Sequence, residues 1–320
     1  MKFLNRKTNI DFMSRRNIAL IFSAVMITVS IASLTIRGLN FGLDFTGGTL
    51  IEVGYPSAPN TNEVRENLAS AGFDSVVQTF GAATDIVVRI PPSEQQESSA
   101  ELSTRVLAAL SQGVEGEIEM RRVEFVGPQV GEELAEQGIL AVIYAMVGVF
   151  LYVMFRFQWR FSVGAVAALF HDITISMGVI SLVQIEFDLT VVAAILAVVG
   201  YSLNDTIVLF DRIRENFPRY RKRQPIEVVN TSINETLSRT LMTSTTTLLV
   251  LLALFYFGGE IIHGFAFTLI VGVLIGTYSS IYVASSALLV PVSYTHLRAH
   301  ETVVRISYAV FCLKRGGGGG

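Results

Sequence analysis

The sequence is short of charge. Lys, Arg, Asp and Glu make up 16% of its 320 residues, against about 25% in a typical soluble domain. Cysteine is nearly absent. The single Cys312 excludes a disulfide framework and a thiolate metal centre. Zinc-ligand spacing, a Ser-His-Asp arrangement and a nucleic-acid signature are all missing, so neither a metal nor a cofactor is expected. A net charge of −3 decides nothing by itself. What the chain has in excess is apolar residues, 51% of the total, with a mean hydropathy of +0.52.

Those residues gather into runs. Six pass the length test of roughly 17–25 apolar residues for crossing a bilayer. They are Ile18–Ile36, Gly138–Phe155, Phe161–Val183, Val191–Phe210, Leu241–Phe257 and Phe265–Leu289. The first is too long for the core of a signal peptide, and Arg37-Gly38-Leu39-Asn40 is a poor cleavage site. The fold class is therefore a polytopic α-helical membrane protein with six transmembrane helices.

Orientation follows from Lys and Arg in the short loops. Lys2, Arg6, Lys7, Arg15 and Arg16 precede span one. Arg156 and Arg160 follow span two. Arg212, Arg214, Arg219, Arg221, Lys222 and Arg223 follow span four. Loops 184–190 and 258–264 hold none. This pattern puts both termini in the cytoplasm. It predicts a cytoplasmic N-terminus over 1–17, span one over 18–36, an external domain over 37–137, and spans two to six over 138–291 with a basic cytoplasmic loop at 211–238. The tail 292–320 has no membrane period and ends in five glycines, so it is read as non-native and set aside.

The external segment has soluble character. Thr49–Tyr55, Val76–Phe80, Asp85–Ile90 and Glu117–Val126 read as strands, and Thr61–Ala71 and Ser98–Leu110 as helices. The order β-α-β-β-α-β is the split βαβ plan of a small α+β ferredoxin-like domain. Its acidic excess, including Glu94, Glu97, Glu115, Glu117 and Glu119, reads as solvation.

In apolar spans the charged residues carry the information, because a charge at mid-bilayer costs at least about 2.5–3.5 kcal/mol. Asp205 lies about six residues inside the cytoplasmic end of span four, roughly 9 Å deep at 1.5 Å per residue. Tyr201, Ser202 and Asn204 are expected as its polar company. Arg239 opens span five and is followed by Thr243, Thr246 and Thr247 at helical spacing. Asp172 sits near the middle of span three beside His171, and either could exchange protons. Each also has a structural reading: a helix cap for Asp205, a snorkelling arginine for Arg239, interhelical hydrogen bonding for Asp172. Gly272 and Gly276 form a GxxxG packing motif in span six. Gly42, Asp44, Phe45, Gly47 and Gly48 belong to a glycine-rich stretch that lacks the Lys-Ser/Thr of a P-loop and reads as a tight structural loop above span one.

Taken together, these motifs resemble one family. Gly42-Leu43-Asp44-Phe45-Thr46-Gly47-Gly48-Thr49 is similar to the motif shared by SecD and SecF proteins. Gly200-Tyr201-Ser202-Leu203-Asn204-Asp205-Thr206, running into Phe210-Asp211-Arg212-Ile213-Arg214-Glu215-Asn216, resembles the fourth span of the SecF branch. Leu237-Ser238-Arg239-Thr240 resembles its fifth, and Gly272 through Tyr282-Val283-Ala284-Ser285 its sixth. The likeness covers roughly residues 1–291. It implies a fold related to RND transporters, in the bacterial inner membrane. It also implies SecD, the SecYEG translocon, YajC, YidC, an unfolded preprotein and the phospholipid bilayer as partners, and use of the proton-motive force in protein export. It places Asp205 and Arg239, with a SecD aspartate, on the proton path. Two other readings stay open. One is a non-catalytic scaffold. The other is an intramembrane aspartyl protease built on Asp172 and Asp205, although no GxGD motif is present.

Overall fold

The computed structural model describes residues 8–92, 99–112, 114, 116–157 and 159–289. Lys2, Arg6, Lys7, Glu94, Glu97, Glu115 and the tail 292–320 lie outside the described residues. Among the described residues six helices are long and apolar enough to cross a membrane. They run Arg16–Ile36, Pro128–Arg156, Trp159–Val183, Leu189–Arg219, Pro225–Phe257 and His263–Ser279. The last continues through a π-helical turn, Ser280–Ala284, into Ser285–Ala287.

Three helices outrun their apolar windows. Span two starts at Pro128 rather than Gly138, with Gly127 before it in extended conformation. Span four continues past Phe210 to Arg219. Span five begins at Pro225, a residue suited to the first helical position. The segment 211–238, expected as a loop, is therefore a helical hairpin turned at residues 220–224. An apolar window marks only what sits in hydrocarbon; a helix needs no apolarity to continue into water. Here polar contacts bind the two extensions. Asn216 Nδ2 donates to Ser232 Oγ (3.0 Å) and Glu235 Oε2 (2.7 Å), and Arg212 Nε lies 3.2 Å from Glu235 Oε2. Asn230 and Asn234 clamp the approach to span one. Their side-chain oxygens accept from the backbone of Phe12 and Ile10, at 2.9 and 2.8 Å.

Between spans one and two lies the small α+β domain. Its strands are Gly48–Gly54, Val76–Phe80, Ala82–Ile90 and Glu119–Val126, and its helices are Thr61–Ser70 and Ser99–Leu110. The sheet runs second–third–first–fourth with every pairing antiparallel. This is the split βαβ arrangement that the sequence order predicts. Alternation along the strands sends Ile51, Val53, Ile86 and Val88 to one face, where Val64, Leu68, Val106 and Leu110 of the helices close the core. Gly48 has φ +113°, and a Cβ there would collide with the Ile90 carbonyl oxygen, so only glycine fits.

The same core holds Tyr55, whose hydroxyl donates to the Leu110 carbonyl at 3.4 Å. Burial pushes its phenol up from 10.0 to about 12. The folded domain thus favours the neutral phenol. That contribution is complete below pH 10.0 and is lost as pH rises through about 12. Protease protection of residues 37–137 in the full chain is expected to fall across this window. Tyr55→Phe, which cannot ionise, is expected to hold its protection to higher pH.

Spans one, three, four and six pack closely where side chains are small. A Cβ on Gly178 of span three would overlap Ser30 of span one. One on Gly272 of span six would overlap Val198 of span four, and one on Gly276 would press Ser202. In lipid such backbone approach is a main source of helix affinity. The GxxxG of span six thus sits against span four.

Candidate functional site

Three features share span four, and each is built from short local rules. The first is a polar network at the bundle centre. Asp172 of span three is fully buried and His171 is 3% exposed. Asp172 Oδ2 accepts from Ser202 Oγ of span four at 2.5 Å and Ser279 Oγ of span six at 2.7 Å. Its Oδ1 meets His171 Nδ1 at 2.9 Å. His171 Nε2 meets Ser23 Oγ of span one at 3.1 Å, and Ser23 Oγ meets the Tyr278 hydroxyl at 3.0 Å. Four spans are thereby joined through one carboxylate whose two oxygens are both engaged.

The second feature is Asp205, one helical turn beyond Ser202 and 3% exposed. Its Oδ2 is buried with no hydrogen-bond partner among the described residues. The expected polar company is not there. Tyr201 donates to Ser244 of span five at 3.2 Å, Ser202 is held by Asp172, and Asn204 is exposed. Asn204, adjacent in sequence, is turned about 100° away around the helix, whereas Tyr201 and Ser202 lie within one turn of Asp205 but spend their hydroxyls on Ser244 and Asp172. Arg239 is the charged group whose field acts on Asp205. Among the described residues no ion pair joins the two, and Arg239 itself is exposed. The span-five threonines do not line the Asp205 site as donors. Thr243 and Thr246 return their hydroxyls to their own helix, to Arg239 O (3.2 Å) and Met242 O (2.9 Å). Thr247 is half-buried.

The third feature is the junction of span four with the domain. Asn40–Phe41 pairs in parallel with Glu186–Phe187, just before span four. Gly42 N donates to Phe187 O at 2.8 Å. Asp44 Oδ2 accepts from Leu189 N at 3.0 Å and Asp188 Oδ1 from Val191 N at 2.8 Å, so two carboxylates cap the N-terminus of span four. Phe45 stacks on Phe187 at 5.6 Å, with Phe41 edge-on to both. Arg89 of the third domain strand pairs with Glu186 and donates to Phe41 O at 3.2 Å. A Cβ on Gly47 would press Pro128, and one on Gly42 would press Glu186. The glycine-rich stretch is thus a latch between the domain, span two and span four.

Residues Ser23, Tyr278 and Ser279 complete the polar network and carry no charge that marks them in the sequence. Among the described residues no group of three or more His, Cys, Asp or Glu could hold a metal ion.

Comparison with known proteins fits this architecture. Residues 106–293 match the model of the C-terminal region of SecD/SecF protein-export membrane proteins, and residues 32–55 match the SecD/SecF GG motif. The chain is 51% identical over 298 residues to protein translocase subunit SecF of Vibrio alginolyticus, covering 92% of this chain and 94% of that one. It is 51% identical over 282 residues to the subunit of the same name from Pseudomonas aeruginosa, covering 88% and 90%. The crystal structure of SecDF, a translocon-associated membrane protein from Thermus thermophilus, superimposes with a TM-score of 0.80 at 35% identity. That match covers 90% of this chain but 39% of the SecDF chain, so this chain spans well under half of it. The two matched regions take in spans two to six and the glycine-rich stretch of the latch, and with SecF relatives 51% identical over nearly their whole length the chain belongs to the SecF branch of the SecD/SecF family of protein-export membrane proteins.

Proposed function

We propose that this chain is a proton-coupled, non-enzymatic accessory subunit of a Sec translocase. It sits in the bacterial inner membrane with both termini cytoplasmic and its α+β domain periplasmic. The observation that carries the reading is the Asp205 carboxyl, buried in a membrane helix with an unpartnered oxygen and with Arg239 nearby. A buried carboxyl without a fixed partner is suited to take and release protons, and an intramembrane ionisable residue marks function by default.

The partner reading rests on exposure. Asn204, Arg239, Thr245 and Thr246 are exposed at or near membrane depth. Polar side chains facing lipid are costly, so this face of spans four and five suits a second set of helices. A SecD subunit would supply them, in keeping with the 39% share of the SecDF chain that this chain spans. SecYEG, YajC, YidC and an emerging preprotein remain the wider set of proposed partners.

The latch supports the mechanical part. Protonation of Asp205 removes its attraction to Arg239 and frees span four to shift against span five. Span four is a continuous helix from Leu189 to Arg219, so its displacement reaches the Asp44 and Asp188 caps and the domain beyond. The protease reading has little support. Asp172 spends both oxygens on Ser202, Ser279 and His171, and no hydrogen bond joins it to Asp205 among the described residues. A shared-proton carboxylate dyad needs that closeness. The test is proton flux and preprotein export in vesicles, comparing Asp205→Asn and Arg239→Ala with the unaltered chain.

A further inference from the structure

The polar network around Asp172 closes only if its hydrogens are assigned one way. The Tyr278 hydroxyl donates to the Ala19 carbonyl at 2.6 Å, which commits its single hydrogen. In its 3.0 Å contact with Ser23 the tyrosine oxygen must then accept, which commits the serine hydrogen. The 3.1 Å contact between Ser23 Oγ and His171 Nε2 is a hydrogen bond only if Nε2 carries a hydrogen. His171 Nδ1 then faces Asp172 Oδ1 at 2.9 Å. A neutral imidazole with hydrogen on Nε2 presents a lone pair at Nδ1, and an ionised carboxylate presents another. Both side chains are buried out of reach of bulk solvent, so two facing lone pairs would repel. The other carboxylate oxygen is already filled by the Ser202 and Ser279 hydroxyls.

We infer that the His171–Asp172 pair is a second proton-binding site, separate from Asp205, which holds one proton in this conformation of the bundle. Imidazolium with carboxylate, and imidazole with carboxylic acid, are the two ways to place that proton. Both leave the pair net neutral. The groups facing it are Ser23 from span one, Ser202 from span four, and Tyr278 and Ser279 from span six. Among the described residues no lysine or arginine forms an ion pair with Asp172. A buried pair with no outside countercharge is most cheaply kept neutral.

Release of the proton has a definite structural consequence. The remaining imidazole hydrogen moves to Nδ1 to satisfy Asp172, and Nε2 becomes an acceptor. The Ser23 hydrogen turns to Nε2, and the Ser23–Tyr278 contact is left without one. One proton lost to water therefore costs one tie between span one and span six. The inference deepens the proton-coupled reading and rests on it for its place in a transport cycle.

His171-Asp172 is the only His-Asp dipeptide in the sequence, so carbonyl-13C, ring-15N histidine with 15N aspartate singles it out without mutation. The experiment is solid-state NMR of the full chain with its SecD partner in lipid vesicles at neutral pH. Infrared spectra in parallel identify a protonated carboxyl by its loss in Asp172→Asn. The expected result is either two protonated nitrogens on His171, or hydrogen on Nε2 with a protonated Asp172. A singly protonated His171 beside an ionised Asp172 overturns the site. Asp205→Asn is measured alongside for proton-dependent export. If that variant exports normally, the coupling reading fails while the spectra still decide the pair. If it loses export but His171 is singly protonated beside an ionised Asp172, the inference alone fails.

Discussion

Asp205→Asn is expected to abolish the proton-dependent part of export while leaving the subunit folded and assembled. Asparagine matches aspartate in size and keeps its hydrogen-bonding oxygen, but it cannot ionise. The Asp205 Oδ2 has no hydrogen-bond partner among the described residues, so the exchange breaks no hydrogen bond at that oxygen. What is lost is the alternation between an ion that attracts Arg239 and a neutral group that does not. A proton crossing 100 mV carries about 2.3 kcal/mol. At about 1.4 kcal/mol per factor of ten, its loss weakens the drive roughly 50-fold. Export in vesicles, driven first by an imposed proton gradient and then without one, measures this directly. The two conditions are expected to differ for the unaltered chain and to coincide for the variant. Arg239→Ala should fail by another route, because it leaves the Asp205 charge uncompensated when ionised; Arg239→Lys should retain part of the coupling. Gradient-dependent export that survives Asp205→Asn would remove Asp205 from the mechanism.

Uncoupling is expected at the latch. Asp44→Ala removes a carboxylate cap from span four, a loss of about 1 kcal/mol. Glu186→Arg turns its pairing with Arg89 into repulsion; Glu186 is partly exposed, so this adds no more than about 1 kcal/mol. Together they shift the closed latch by roughly 30-fold. The aromatic cluster of Phe41, Phe45 and Phe187 and the domain core are untouched, so the domain stays folded. The double variant is expected to pass protons but lose most gradient-driven export. Exchanging the charges, Arg89→Glu with Glu186→Arg on native Asp44, should restore export. Equal loss of proton flux and export would mean that the latch is simply structural support.

Much of this molecule was legible before folding, for identifiable reasons. The spans declare themselves because hydrocarbon demands about 20 apolar residues. The domain declares itself by alternation in Ile51-Glu52-Val53 and Val123-Glu124-Phe125, and by the apolar run Ile86-Val87-Val88. The hairpin at 211–238 was hidden, because a helix leaving the membrane carries polar residues that read as a loop. The centre of the polar network was half visible. Asp172 and His171 stand out by charge, but Ser23, Tyr278 and Ser279 do not. A hydroxyl in an apolar span often returns to its own helix, as Thr28 does to Ala24 O and Thr35 to Ile31 O. Nothing in sequence distinguishes those from Ser23, which reaches another span. The neighbours of Asp205 misled for two reasons: Asn204 diverges around the helix, and Tyr201 and Ser202, on the right face, are drawn to Ser244 and Asp172 on other spans.

The parallel pairing of Asn40–Phe41 with Glu186–Phe187 has a mechanical consequence. Both segments follow directly from their spans, one and three, and both run the same way. A pull that slides one span past the other along the strand direction loads the pair's hydrogen bonds all at once, in shear. A pull across the strands would unzip them singly. Two residues of parallel strand thus make a joint that is stiff against sliding along the strands and weak against being pulled apart across them.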